Sequence, residues 1–201
     1  MKKKGCLIAG IAVGIILIGI ISIVLWYIKT GNKIVRLDEG VSESWAQVEN
    51  VYQRRADLIP NLVATVKGYA EHESSTLTDV VEARAKATSV NVNPEKLDAA
   101  SLQQFEEAQG QLSSALSRLM VVVERYPDLK ASQNFSELQA QLEGTENRIS
   151  VERRKFNEVA REYNTYIRQF PASIVANSRG FEKKAYFEAQ AGSEKAPEVQ
   201  F

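Results

Sequence analysis

Apolar residues follow two unlike patterns along this chain. From Gly5 to Ile28 they run almost without interruption: 19 of the 24 positions are apolar, the others are four glycines and Ser22, and none is charged. About 20 such residues in a helix cross the hydrocarbon core of a bilayer, so the run predicts a spanning helix over 5–28. Trp26-Tyr27 and then Lys29 close it with the aromatic and basic groups that suit a headgroup layer. A cleaved signal peptide has a shorter apolar core and a small residue at its cut site, and Ile23-Val24-Leu25-Trp26-Tyr27-Ile28 offers none.

Beyond residue 28 the apolar positions recur with the period of a helix. One stripe runs from Val41 through Trp45, Val48, Tyr52, Ala56, Ile59, Leu62, Val66 and Ala70 to Leu77 and Val80, broken clearly only at Glu73. Pro60 lies inside it. A proline there removes the backbone bond to Ala56 and bends the helix without ending it, because the stripe continues in phase. A second stripe passes through Leu97, Phe105, Leu112 and Leu119 to Tyr126, opened by Asn93-Pro94-Glu95 and stopped by Pro127. A third passes through Phe135, Leu142, Ile149, Phe156 and Tyr163 to Phe170, with Ser132 as its cap and Pro171 as its stop. The only β-branched triplet beyond residue 28, Val121-Val122-Val123, sits inside a helical stripe. The expected fold is therefore all-α: an N-terminal transmembrane helix followed by a long antiparallel bundle. That bundle has three long helices, packed as in a coiled coil, and a short C-terminal helical segment. Ile174-Val175-Ala176 supplies the short segment, and Phe181, Tyr186 and Phe187 dock on the bundle. The expected divisions are a basic head at 1–4, the anchor at 5–28, the bundle at 29–189 and a frayed tail at 190–201. Pro60, Pro94 and Pro127 are spaced by 34 and 33 residues, but helix fills each period and a two-helix repeat is excluded.

Charge sharpens this division. The chain has 25 basic and 25 acidic side chains, but Lys2, Lys3 and Lys4 precede the apolar run, leaving 22 against 25 and a net −3 beyond it. That balance argues against a nucleic-acid partner, which needs a clustered basic face. One cysteine excludes an internal disulfide framework and a Cys-rich zinc site, and one histidine excludes His-pair metal helices. Cys6 precedes the apolar run rather than following it, unlike a lipoprotein cysteine, and His72 between Glu71 and Glu73 reads as a lone surface histidine. Gly10 and Gly14 have the spacing of a helix-pairing face in membranes, although glycine is common in spanning helices for other reasons. Four positive charges precede the span, counting the amino terminus, and Lys29, Lys33 and Arg36 follow it. The tendency for positive charge to stay inside then favours a cytoplasmic N-terminus and an exocytoplasmic bundle.

Two stretches are richer in polar groups than a bundle surface needs. One is Gln53 to Val63, where Arg54, Asp57 and Asn61 share a face beside Arg55 and Pro60. The other holds Glu146, Asn147 and Arg148, then Arg153 and Asn157, then Asn164. Facing each other, these groups form either a network that fixes helix register or a recognition surface. That surface would be the face around Arg54, Asp57 and Asn61, with Arg148 and Asn164 opposite. No nucleophile beside a base, metal cluster or glycine-rich phosphate loop names a reaction, so no catalytic residue, cofactor or metal is expected.

The order of these motifs carries a resemblance. The segment Tyr52-Gln53-Arg54-Arg55-Ala56-Asp57-Leu58-Ile59-Pro60-Asn61-Leu62-Val63 is followed by Ala131-Ser132-Gln133-Asn134-Phe135 with Leu138 and by Glu146-Asn147-Arg148-Ile149. Arg153, Phe156-Asn157, Tyr163-Asn164, Phe170-Pro171, Phe181 and Phe187-Glu188 complete it. From the anchor to about Ala189 the chain resembles the LemA family of bacterial membrane-anchored proteins. The resemblance implies a helical bundle on a single anchor in the bacterial inner membrane, with no established activity, substrate or cofactor. Within such a family an outside N-terminus has been proposed. Relatives in magnetosome-forming bacteria take part in building membrane compartments, and family members are often encoded near a membrane protease or a secreted envelope protein. The leading expectation is a non-catalytic scaffold or adaptor touching the lipid bilayer and protein partners. The alternatives are a self-assembling homo-oligomer that organises membrane, and an enzyme using a core carboxylate cluster.

Overall fold

The computed structural model describes residues 2–188, with side chains from residue 11 onward except Glu71 and Glu95. The side chains of the basic head, the surroundings of Gly10 and the tail at 190–201 lie outside that description. The described residues contain six α-helices and no strand: α1 (Lys2–Lys67), α2 (Ser74–Ser89), α3 (Ala99–Val123), α4 (Pro127–Lys130), α5 (Gln133–Arg168) and α6 (Ala172–Arg179). They belong to two compact units. One comprises the chain up to Gly40 together with Glu162–Lys183, and the other comprises Val41–Arg161 together with the chain from Lys184 on.

In the first unit, α1 presents its apolar run outward. Every large aliphatic side chain from Ile11 to Leu25 is at least 50 % exposed, which is the reverse of a core helix. This helix is long and apolar enough to cross a membrane. Among the described residues, no heavy atom lies within 4 Å of the place a Cβ on Gly14 would occupy. Further along, Ile34 is buried, as are Ile167 near the end of α5 and Ala172, Val175 and Ala176 of α6. Lys33 lies 4.2 Å from the centroid of the Tyr166 ring. The Tyr163 hydroxyl donates to the Glu182 carbonyl at 3.0 Å, and burial pushes that phenol well above its ordinary pKa. At the end of α6, Gly180 takes the left-handed conformation (φ 73°), and Phe181 N–H donates to the Ala176 carbonyl at 3.0 Å. This satisfies one of the orphan carbonyls of the last turn, and a side chain at residue 180 would be strained.

The second unit is an up-down-up-down bundle of four helices: the part of α1 from Val41, then α2, α3 and the part of α5 up to Arg161. The pairings show the directions. Trp45 meets Phe156 while Arg55 meets Glu146, so α1 and α5 are antiparallel. Tyr52 meets Phe105 while Arg55 meets Gln109 and Ser113, so α1 and α3 are parallel. Ile59, Leu62 and Val66 of α1, Leu77 and Val80 of α2, and Leu112, Ala115 and Leu119 of α3 fill the core, with Phe135 and Leu142 of α5.

Three expectations need correction. The first stripe is two helices, not one: α1 ends at Lys67, Gly68 and Ala70 close the turn on the Ala64 and Val66 carbonyls, and α2 starts at Ser74. The bundle therefore holds four long helices where three were expected. Second, Asn93-Pro94-Glu95 does not open α3. Pro94–Lys96 is a single 3₁₀ turn, Leu97 turns inward, and Asp98 is the cap, its Oδ1 accepting from Ser101 N–H at 2.7 Å. Third, Pro127 does not stop α3, which ends at Val123; it opens the short α4 instead. The last stop holds, since α5 ends at Arg168 before Pro171.

Candidate functional site

The polar centre of the bundle is built on Arg55. Three residues after Tyr52 and four before Ile59, it falls on the inner face of α1 among apolar neighbours and is 3 % exposed. Its guanidinium joins three helices. Nη1 donates to Ser113 Oγ at 3.0 Å and to Glu146 Oε2 at 2.9 Å, and Nη2 donates to Gln109 Oε1 at 2.7 Å. Gln109, itself buried, reaches the fourth helix: its Nε2 donates at 3.2 Å to the carbonyl of Ala87, two residues before α2 ends. That carbonyl belongs to the last turn of α2, where no intrahelical donor is left. One side chain from each of α1 and α3 therefore fixes the register of all four helices. The Tyr52 ring centroid lies 5.1 Å from the Arg55 guanidinium carbon, and burial raises the Tyr52 phenol pKa. Arg55 Nε has no hydrogen-bond partner among the described residues.

Pro60 acts through a neighbouring carbonyl. A proline at position 60 cannot donate to Ala56, whose carbonyl would otherwise lose its helical partner. Arg84 of α2 replaces that donor, its Nε giving a 2.7 Å bond to the Ala56 carbonyl. The helix passes through Pro60 without ending, as the in-phase stripe predicts.

A second group of contacts holds the C-terminal segment. Phe187 stacks on Trp45 (ring centroids 5.8 Å apart, planes at 15°) and meets Phe156 edge-on at 5.4 Å. Asn157 pairs with both backbone groups of Phe187, donating to its carbonyl and accepting from its N–H, each at 2.9 Å. Arg153 donates to the Glu188 carbonyl at 3.0 Å and is ion-paired with Glu106. Burial outweighs that guanidinium and moves the Glu106 carboxyl above its ordinary pKa, with Glu188 adding like charge.

Between these groups lies a cleft of about 400 Å³, lined by Tyr52, Arg55, Glu106, Gln109, Ser113, Glu146 and Arg153 among others. Two acids converge on it, as a carboxylate enzyme would require, but each is engaged by a guanidinium, Glu146 by Arg55 and Glu106 by Arg153. No group of three or more metal-ligating side chains occurs among the described residues. The arrangement suits locking helices together, and no nucleophile stands beside a free base in it.

Of the residues singled out by sequence, the structure brings Arg55, Glu146, Arg153 and Asn157 to this region. Arg54, Asp57, Pro60, Asn61, Asn147 and Arg148 are exposed. Asp57 accepts from Gln53 at 2.7 Å. Asn164 is buried in the first unit, so it presents no surface. Sequence reasoning missed Gln109, Ser113, Arg84 and Glu106. Gln109 left a trace: it lies four residues after Phe105, in phase with the stripe, and so faces inward. Arg84 left none, because its acceptor is a backbone carbonyl 28 residues away.

Fold and site together define an α-helical bundle protein carried on a helix long and apolar enough to cross a membrane. The model of the LemA family matches residues 44–201, and the chain belongs to that family. The magnetosome proteins MamQ 1 and MamQ 2 of Paramagnetospirillum magneticum are each 28 % identical to it over 175 residues. That match covers 78 % of this chain and 64 % of each MamQ chain, so the chain spans under two thirds of their length. Protein LemA of Metamycoplasma hominis is 25 % identical over 163 residues, covering 81 % of this chain and 71 % of that one.

Proposed function

We propose that this protein is a non-catalytic scaffold or adaptor of the bacterial cell envelope. The helix at 5–28 holds it in the inner membrane, and the bundle is offered to protein partners there. The observation that carries the reading is the division of labour along α1. Its N-terminal run leaves large aliphatic side chains exposed, while Arg55 further along is spent on internal bonds. Tethering raises the local concentration of any membrane-bound partner without new contacts. The surface in question is the exposed face of Arg54, Asp57 and Asn61, with Arg148 on α5. A membrane protease or a secreted envelope protein fits the partner class. Placing a photo-crosslinking residue at each of these positions in native membranes tests the reading. Discrete protein adducts are expected at one or more of them, and their absence from every bundle position would overturn it. The charge balance around the span supports a cytoplasmic N-terminus, and a periplasm-active reporter fused after Phe201 should then be active.

A second reading, a self-assembling protein that organises membrane, is favoured by the names of the MamQ relatives, which are magnetosome proteins. It requires concentration-dependent oligomers of the full chain in detergent, and a strictly monomeric chain would exclude it.

A further inference from the structure

We propose that the turn and helix at 169–179 seat on the surface of the same bilayer that the anchor crosses, with Phe170 and Ile174 entering its headgroup layer. Phe170 is 82 % exposed, the highest value among the large hydrophobic side chains described, and Ile174 is 55 % exposed. Their neighbours Ala172, Val175 and Ala176 are buried, so the inner face of α6 is already used. Two apolar side chains thus project outward with no protein cover among the described residues.

What covers them follows from their height along α1. The end of α6 is bonded to the last aromatic residue of the span: the Tyr27 and Ser178 hydroxyls are 2.9 Å apart, and the Arg179 guanidinium lies 5.0 Å from the Tyr27 ring centroid. Within this unit α5 runs toward the span, since Tyr163 feels the charge of Asp38 and Tyr166 lies under Lys33. Tyr166 is thus level with Lys33, five residues or roughly 7.5 Å from Ile28 at the helical rise. α5 continues in that direction to Arg168, and Phe170 follows in the turn at its end. The headgroup layer on each side of a bilayer is roughly 5–7 Å thick. Phe170 and α6 therefore reach the level at which Trp26 and Tyr27 close the span. Arg168 and Arg179 flank the segment and supply cations at phosphate height, as aromatic and basic residues do at membrane edges. The partner is a lipid surface, on whichever side of the membrane the bundle stands.

The proposal rests on the anchor reading, and the experiment separates the two. The full chain carrying Cys6→Ser receives one cysteine at a time: Phe170→Cys, Ile174→Cys, Val24→Cys within the span, or Val121→Cys, an exposed position of the other unit. Each is labelled with an environment-sensitive fluorophore and reconstituted in phosphatidylcholine–phosphatidylglycerol vesicles containing shallow or deep spin-labelled lipid. The expected result is deep quenching at Val24, together with blue-shifted emission and shallow quenching at Phe170 and Ile174, several-fold stronger than at Val121. Quenching at Phe170 and Ile174 no greater than at Val121, with Val24 deeply quenched, would overturn the proposal and leave the anchor standing. An unquenched label at Val24 would remove the anchor itself, and the proposal with it.

Discussion

Replacing Arg84 by leucine in two backgrounds measures how the chain accommodates a proline inside α1. In the native chain the Arg84 Nε–H is the donor that reaches the Ala56 carbonyl, at 2.7 Å, and Ala56 is only 2 % exposed. Leucine keeps most of the apolar stem but removes a charged hydrogen bond, worth about 1.5–3 kcal/mol, and water is poorly placed to replace it. With Pro60→Ala the residue at position 60 regains an N–H, which makes the ordinary helical bond to Ala56. Arg84→Leu should then cost only about 0.5 kcal/mol, leaving a coupling of about 1–2.5 kcal/mol between the two sites. Pro60→Ala alone should stabilise the fold. Its gain falls short of the roughly 3 kcal/mol of an uncompensated helix-interior proline, because Arg84 already pairs the carbonyl and proline restricts the unfolded chain. The assay is chemical denaturation of the full chain in detergent, followed by far-ultraviolet circular dichroism, for the four members of the cycle. Equal costs of Arg84→Leu in both backgrounds, within about 0.5 kcal/mol, would refute the reasoning.

The other predictions use the same denaturation measurement. Phe187→Ala, which empties a place among Trp45 and Phe156, should cost about 3–5 kcal/mol, and Asn157→Leu should cost less while freeing the same segment to limited proteolysis. Arg55→Met should destabilise chiefly by stranding the buried Gln109 side chain, whereas Glu146→Gln, altering a half-exposed partner, should cost at most about 1 kcal/mol. Folded Glu106 keeps its proton to a higher pH than the unfolded chain does, so its ionisation lowers stability as pH rises from the unfolded to the folded pKa. Glu106→Gln should flatten that part of the pH profile, and an unchanged slope would count against burial as the cause. Asp98 behaves oppositely: the Ser101 N–H holds its carboxyl below the ordinary pKa, so its contribution is present above the unfolded pKa and lost as pH falls through the folded one. Asp98→Asn, which keeps the cap, should lose less stability in acid than the native chain.

The sequence by itself determined the all-α fold and its long apolar first helix. An uncharged run at 5–28 is long and apolar enough to cross a membrane as a helix, and the period of the stripes at 41–170 has one backbone conformation that puts them on a single face. It also placed Arg55, Glu146 and Asn157 among the polar groups in question and showed that Pro60 does not stop the helix. Only the tertiary structure decided where the first stripe reverses. The stripe stays in phase across the turn at Gly68–Glu73, so Leu77 and Val80 suit an extension of α1 as well as a partner packed against it. Periodicity reports which face is apolar and carries no information about direction. Tertiary structure likewise decided which polar groups meet. Arg84 finds a carbonyl exposed by a proline, Gln109 finds the open end of α2, and Asn157 finds the backbone of Phe187, each across 22 or more residues of chain. Backbone acceptors look alike at every position of a sequence, and only packing selects among them.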